Sequence, residues 1–319
     1  ISPNAAILIS FLLTCAFVYT SGIRGTAWVA VVKDIMMIAA IMVVGIGVPY
    51  IYFGGIGPMF EKLIEQRPTY LVFPGATQNM DTLWVMSTVL LTGAGFYMWP
   101  HTFGSVFSGK SAQTLKRNAV IMPFYQLPIL LVFFVGFTAL LMIPGLEDGD
   151  FSFLALVNRT YPAWFMGFVG AAGAVTAMVP SSVLVLFAST LVAKNIYRTG
   201  WNPRADEETV IRLSRVMVIV ISGLALIFAI YLPNALVNLL LIGYDGVTQF
   251  FPGVVLGLFW KRVHARAVWA GLVTGIALVA ILVLGGRDPI WGMNAGFVAL
   301  AANFAVTVLA GFLTNGARR

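Results

Sequence analysis

The chain has 319 residues, 60% of them hydrophobic and only 10% charged. A soluble domain carries about 25% charged residues, so a soluble fold is excluded and an all-α polytopic membrane protein is expected. The net charge of +7 implies no nucleic-acid partner, because the basic residues sit in short loops between apolar runs, which is a topological pattern rather than a binding stripe.

The chain opens at Ile1, without a basic n-region or a cleavage site. That reads as a piece of a longer chain, starting just ahead of a membrane span. Nine apolar stretches follow, roughly at 5–20, 27–53, 84–107, 119–143, 163–193, 212–232, 235–259, 267–285 and 293–313. A helix needs about 20 residues to cross about 30 Å of hydrocarbon, so most of them suffice and the first is short. Backbone groups in lipid must bond internally, and the strict alternation of a barrel is absent, so about nine transmembrane helices are predicted. Between the second and third stretches, MFEKLIEQ reads as a short surface helix and FPGATQNM as a turn.

The basic residues alternate between loops. One set holds Arg24; Lys110, Lys116 and Arg117; Lys194, Arg198, Arg204, Arg212 and Arg215; Lys261, Arg262 and Arg266; Arg318 and Arg319. The other holds Lys62, Arg67, Arg159 and Arg287. This 14-to-4 split predicts a multi-pass protein of the cell membrane with a cytoplasmic C-terminus.

Polar groups inside spans are expensive, so each is a functional candidate. Lys33 and Asp34 come first, with Lys33 about 9 Å deep by helical rise. Neighbours at i and i+1 diverge by about 100°, so each is expected to find its partner on another helix. The alternative is a lysine snorkelling to the interface, with Asp34 capping a neighbour's backbone. Next, TGAGFYMWPHTFGS at 92–105 carries Gly93, Gly95, Pro100 and Gly104. They predict a break in mid-span, flanked by Trp99 and His101, of the kind tolerated where backbone lines a cavity. Then GAAGAVTAMVPSSVLVLFAST at 170–190 places small residues ahead of Pro180. Pro180 is predicted to break its helix; Ser181 and Ser182 either rebond freed carbonyls or face a substrate or ion. Last, GYDGVTQFFPG at 243–253 puts Asp245 about 16 Å from the outer edge of its span. Asp245 and Gln249 fall on one face at i, i+4, with glycines and Pro252 around them.

Spans interrupted by Gly and Pro, with rare charges nearby, point to a secondary transporter. A channel would show repeated rings or a filter motif. No GxxxxGK[ST] stretch occurs, which argues against ATP-driven pumping. The single cysteine, Cys15, and the two separated histidines, His101 and His264, make no metal cluster, and no cofactor is expected. The expected partners are a small solute, a coupling cation (H+ or Na+) and the lipid bilayer. Candidate substrate-binding residues are Trp99, His101, Ser181, Ser182, Tyr244 and Gln249. Candidate ion-coupling residues are Lys33, Asp34 and Asp245. A proton-conducting membrane subunit is a rival reading; it predicts chains of Lys, Glu and His on several spans.

Four stretches in order, SGIRGTAWVAVVKDIMM, GFYMWPHTFGSVFSGKSAQTLKRNA, ASTLVAKNIYR and PGVVLGLFWKRVHARAVWAGLVTG, resemble the sodium:solute symporter family. The first two resemble its monocarboxylate-permease branch. The resemblance covers nearly the whole chain. It implies no enzyme but a symporter, with a LeuT-like inverted-repeat core present in part. Residues 1–53 would hold the last two helices of the first repeat, 54–83 an extracellular loop, 84–259 the second five-helix repeat and 260–319 two additional helices. The first three core helices would precede this chain, so this piece alone is not expected to transport. The resemblance also implies where sodium would be helped: an acid at Ala30 and hydroxyls at Val179 and Pro180. None of these bears a side-chain oxygen. Lys33 lies about one turn after Ala30, on the same face. The expectation is that the Lys33 ammonium replaces the ion and makes the carrier proton-coupled, for acetate, lactate or pyruvate; a sodium-coupled carrier of amino acids or other organic solutes is the alternative within the family. Helix ends at the breaks, the Trp99 indole and His101 would supply donors to a carboxylate.

Overall fold

The computed structural model of the chain describes residues 3–72, 80–146, 148–231, 236–283 and 285–315. Its helices are α1 (Pro3–Phe53), α2 (Ile56–Gln66), α3 (Thr82–Gly95), α4 (Pro100–Val106) and α5 (Ala112–Tyr125). There follow α6 (Ile129–Met142), α7 (Ser152–Thr160), α8 (Ala163–Leu191) and α9 (Glu207–Tyr231). The last are α10 (Leu236–Val247), α11 (Phe251–Phe259), α12 (Ala265–Leu282) and α13 (Ala295–Asn315). Among the described residues no strand forms, only an isolated bridge between Ile290 and Met293. Among the described residues seven helical stretches are long and apolar enough to cross a membrane, and Ala5–Thr20 and Thr82–Met98 are shorter apolar helices. Together they coincide with the nine predicted stretches. The predicted turn FPGATQNM lies, but for its last residue, outside the described residues.

The chain packs as two compact units. One comprises Ile1–Leu63 with Ser108–Pro233; the other comprises Ile64–Phe107 with Asn234–Arg319.

The core of the first unit is built on i, i+4 stripes. Ala40, Val44 and Val48 of α1 meet Val135 and Ala139 of α6, Leu156 and Val157 of α7, and Phe165 and Val169 of α8. Glycine permits the close approach: a Cβ on Gly45 would collide with the backbone of Leu131. The predicted surface helix is α2. It buries Met59 and Leu63, and Phe60 stands edge-on to Phe134 and Phe137 with centroids 5.9 and 5.8 Å away.

Two expectations are corrected in this unit. A loop was predicted around Arg24, whereas helical hydrogen bonding runs through α1 from Pro3 to Phe53. The two halves nonetheless act as separate spans. Phe11 and Thr14 share a cleft with Met178, whereas Val44 packs with Val169. A straight helix would separate Phe11 from Val44 by about 50 Å, but Val169 and Met178 are about 14 Å apart along α8. The axis of α1 therefore turns between its halves. The second correction concerns Pro180, which was predicted to break its helix. α8 continues through it to Leu191. One missing N–H is a small loss where every other backbone group must stay bonded, and neighbouring hydroxyls supply extra bonds. Beyond α8 the chain widens into a π-helical turn, Val192–Trp201, a feature with no sequence signal that periodicity could have detected.

In the second unit, α12 and α13 pack antiparallel through small residues. A Cβ on Gly271 would strike Thr307 and the Asn303 carbonyl, and one on Gly275 would strike Gln249 and Asn303. The α3 terminus is capped by Asp81, which accepts from Leu83 and Trp84 N–H.

Candidate functional site

The predicted break before α4 is present. α3 ends at Gly95, a 3₁₀ turn covers Phe96–Met98, and Trp99 is extended at φ −60 and ψ 132 before Pro100 opens α4. Proline favours an extended residue ahead of it and suits a first helical position. The break turns Trp99 onto α10. Its ring meets Tyr244 edge-on at 5.4 Å, and a Cβ on Gly243 would be only 2.8 Å from it. The His101 ring lies 6.1 Å from that of Trp99, and its Nδ1 is buried without a hydrogen-bond partner. Trp99, His101 and Tyr244, chosen from sequence as separate candidates, thus form one aromatic group in the second unit.

Behind them lies a buried polar cluster. Asp245 and Gln249 are 2% and 1% exposed. Gln249 donates from Nε2 to the carbonyls of Asp245 (3.0 Å) and Gly296 (3.3 Å). Asn303 of α13 donates in turn to the Gln249 carbonyl (2.8 Å) and its Oε1 (3.1 Å), and Thr307 donates to Asn303 (3.3 Å). The i, i+4 placement of Asp245 and Gln249 holds, with the glutamine reaching back to the aspartate's backbone. Asn294, Asn303, Thr307, Thr248 and Ser87 were not anticipated. The signal was available: Asn303 and Thr307 are polar residues one turn apart in an otherwise apolar span.

The Asp245 carboxylate lies against the start of α13, where its Oδ1 crowds Gly296 and has no hydrogen-bond partner. Two backbone donors there are taken, and the Asn294 side chain faces the Asp245 carboxyl as a hydrogen-bond partner. Asp288 accepts from Ala295 N–H (2.9 Å) and from the Trp84 indole (3.3 Å), and the Asn294 side chain accepts from Phe297 N–H (3.1 Å).

In the first unit the structure overturns the expected independence of Lys33 and Asp34. Lys33 Nζ is 2.7 Å from Asp34 Oδ1. The divergence of adjacent side chains is real, but the flexible lysine stem bridges it. The Tyr125 hydroxyl donates to the same Oδ1 at 2.8 Å, tying α1 to the end of α5. The lysine side chain is only 16% exposed and the aspartate 35%. Ser181 and Ser182 donate to the carbonyls of Ala177 (2.8 Å) and Met178 (2.6 Å), one turn back. Both hydroxyls are therefore engaged within α8, on carbonyls other than that of Thr176, which is the one Pro180 frees. Ser181 also borders an apolar cleft of about 530 Å³ between α1, α8 and α9.

The description of the sodium:solute symporter family matches residues 1–275 of the chain. The chain belongs to that family. An uncharacterized symporter, YhjB, of Bacillus subtilis is 39% identical over all of this chain and 67% of its own length. A monocarboxylate transport permease protein of Rhizobium johnstonii is 26% identical over 94% of this chain and 63% of its own. This chain therefore spans about two thirds of these relatives. Among solved structures, a Na+-coupled sialic acid symporter in a substrate-bound outward-open state superposes with a TM-score of 0.80. It covers all of this chain and 68% of its own, at 18% identity. That likeness shows the fold, which is the LeuT-like one the four signature stretches led to expect.

Proposed function

We propose that the protein to which this chain belongs is a proton-driven symporter of small monocarboxylates, such as acetate, lactate or pyruvate. The observation that carries this reading is the helix break at Trp99–Pro100, which gathers Trp99, His101 and Tyr244. An indole N–H and a histidine nitrogen without a partner are donors suited to one carboxylate, and the aromatic faces suit a short apolar tail. The kinship with a monocarboxylate permease supports the substrate class.

The coupling ion is read as a proton. The positions where the family resemblance implies sodium-helping oxygens are Ala30, Val179 and Pro180, and the charges nearby in sequence are the paired Lys33 and Asp34. The bound cation's role passes to protonation of fixed groups in the span. The protein is placed in the cell membrane with its C-terminus cytoplasmic, on the 14-to-4 division of basic residues.

The test is uptake of labelled acetate and pyruvate by the full-length protein in proteoliposomes. Uptake is expected to follow an inward proton gradient and to persist without sodium. Uptake that needs a sodium gradient and ignores the pH gradient overturns the proton assignment. Failure of both gradients to move either carboxylate overturns the substrate assignment.

A further inference from the structure

We propose that Asp245 is a proton-binding site, a carboxyl group that is held neutral inside the second unit and can release its proton. The argument starts from the end of α13. A helix N-terminus stabilises one nearby negative charge through its free N–H groups and its dipole. Here two of those groups are spent, and the Asn294 side chain is the neutral hydrogen-bond partner left to the Asp245 carboxyl. Asp288 takes the Ala295 N–H, and the Asn294 side chain takes that of Phe297. Asp245 is thus a second carboxylate at an end already satisfied by the first, with Oδ1 buried and unpartnered.

No positive charge offsets it. The elements packed on α10 are α3, α12, α13 and the 3₁₀ turn Thr248–Phe250. Their described charged or titratable residues, with the connections that lead into them, are Arg67, Asp81, Lys261, Arg262, His264, Arg266, Arg287 and Asp288. Arg266 starts α12, about 20 Å along the helix axes from Asp245 by helical rise, and Lys261, Arg262 and His264 precede it at that same end. Arg67 is exposed ahead of α3. Arg287 is exposed, and the three ion pairs among the described residues, at Lys33, Arg198 and Arg212, do not involve it or Asp245.

Two carboxylates sharing one helix end cannot both stay ionised at low cost, and the more buried of the two takes the proton. A hard metal cation fits less well. It gathers several oxygen ligands, whereas this site offers one free oxygen pressed against Gly296. A proton needs a single lone pair. Binding forms one O–H bond and cancels one negative charge; release returns the proton to water and restores the charge. That this proton drives solute movement rests on the symport reading above; its presence on Asp245 does not.

Infrared difference spectroscopy of the purified full-length protein, from about pH 5 to about pH 9, tests the site directly. The wild type is expected to show a protonated-carboxyl C=O band that disappears on the alkaline side, and D245N to lack it. In D288N, which removes the neighbouring charge, the band's midpoint is expected to fall by about one pH unit. A band unaltered in D245N overturns the proposal. Should D245N fail to fold, D288N decides: a lowered midpoint sustains the proposal and an unmoved one overturns it. Uptake separates the two readings. A wild type that responds to the pH gradient beside a D245N whose uptake is the same with and without it supports both. A band lost in D245N, in a carrier driven by sodium alone, keeps the proton site and overturns proton-driven symport.

Discussion

At the scale of the residue, the pair Lys33–Asp34 answers why a hydrophobic span carries two adjacent charges. Each neutralises the other, and Tyr125 fixes the shared oxygen. Removing one partner of a fully buried pair costs about 3–5 kcal/mol, and an exposed pair is worth under about 1 kcal/mol. The intermediate exposure here places Asp34→Asn at about 1–3 kcal/mol of lost stability, and Tyr125→Phe at about 1 kcal/mol. Thermal unfolding of the detergent-solubilised full-length protein checks both, and a double-mutant cycle on Lys33 and Asp34 isolates their coupling. A second residue-scale prediction concerns Asp206 in the loop before α9. It accepts from Thr209 N–H at 3.2 Å. Hydrogen bonds from Thr209, side chain first and then backbone, hold its carboxyl below the usual value. Its contribution to the start of α9 is present above the unfolded value and is lost as pH falls through the folded one. Amide exchange at Thr209 is expected to speed up, relative to its intrinsic rate, on acidification through that range, and Asp206→Asn to flatten the dependence. Lys33, Asp34, Trp99, His101 and Asp245 stood out as candidates in the sequence as polar or aromatic residues set in apolar runs. The Lys33–Asp34 contact was not, because spacing rules describe Cβ directions and a lysine stem has four rotatable bonds to escape them.

At the scale of the element, glycine and proline had different legibility. Pro100 broke its span as read, because Gly95 ends α3 and the extended Trp99 ahead of the proline lets the chain leave the helix. Pro180 did not, because it stands in a long apolar run whose other backbone groups have no alternative to helical bonding. The α12–α13 contact makes the sharpest element-scale prediction. Gly271→Ala drives a methyl into the backbone carbonyl of Asn303, which cannot swing aside, and is expected to cost about 1–3 kcal/mol. Gly93→Ala is the control. It meets nothing within 4 Å, and in a helix interior it is expected to stabilise by about 0.5–1 kcal/mol. Melting temperatures of the two variants should move in opposite directions.

At the scale of the whole molecule, the nine apolar stretches, the helical class and the family were all legible, because lipid leaves so few ways to satisfy a backbone. The division into two packing units was not. Periodicity reports what each segment buries but not against which segment, and Ser108–Pro233 rejoins Ile1–Leu63 across an intervening stretch. The side of the membrane is predicted by charge. With Cys15 replaced, Lys62→Cys is expected to react with an impermeant thiol reagent on intact cells, and Lys110→Cys only after permeabilisation. The reverse pattern would invert the topology.

The placement of Trp99 has a spectroscopic consequence. Of the eight tryptophans, Trp28, Trp164 and Trp269 are 64–77% exposed on apolar helices, within reach of bromine-tailed lipids that extinguish their emission. The glow that survives comes from Trp84, Trp99 and Trp260, from Trp201 at the end of the π-helical turn and from Trp291 in a loop, and among these Trp99 alone adjoins the break in the helix. A solute docking beside Tyr244 should announce itself in that residual light, with no label attached.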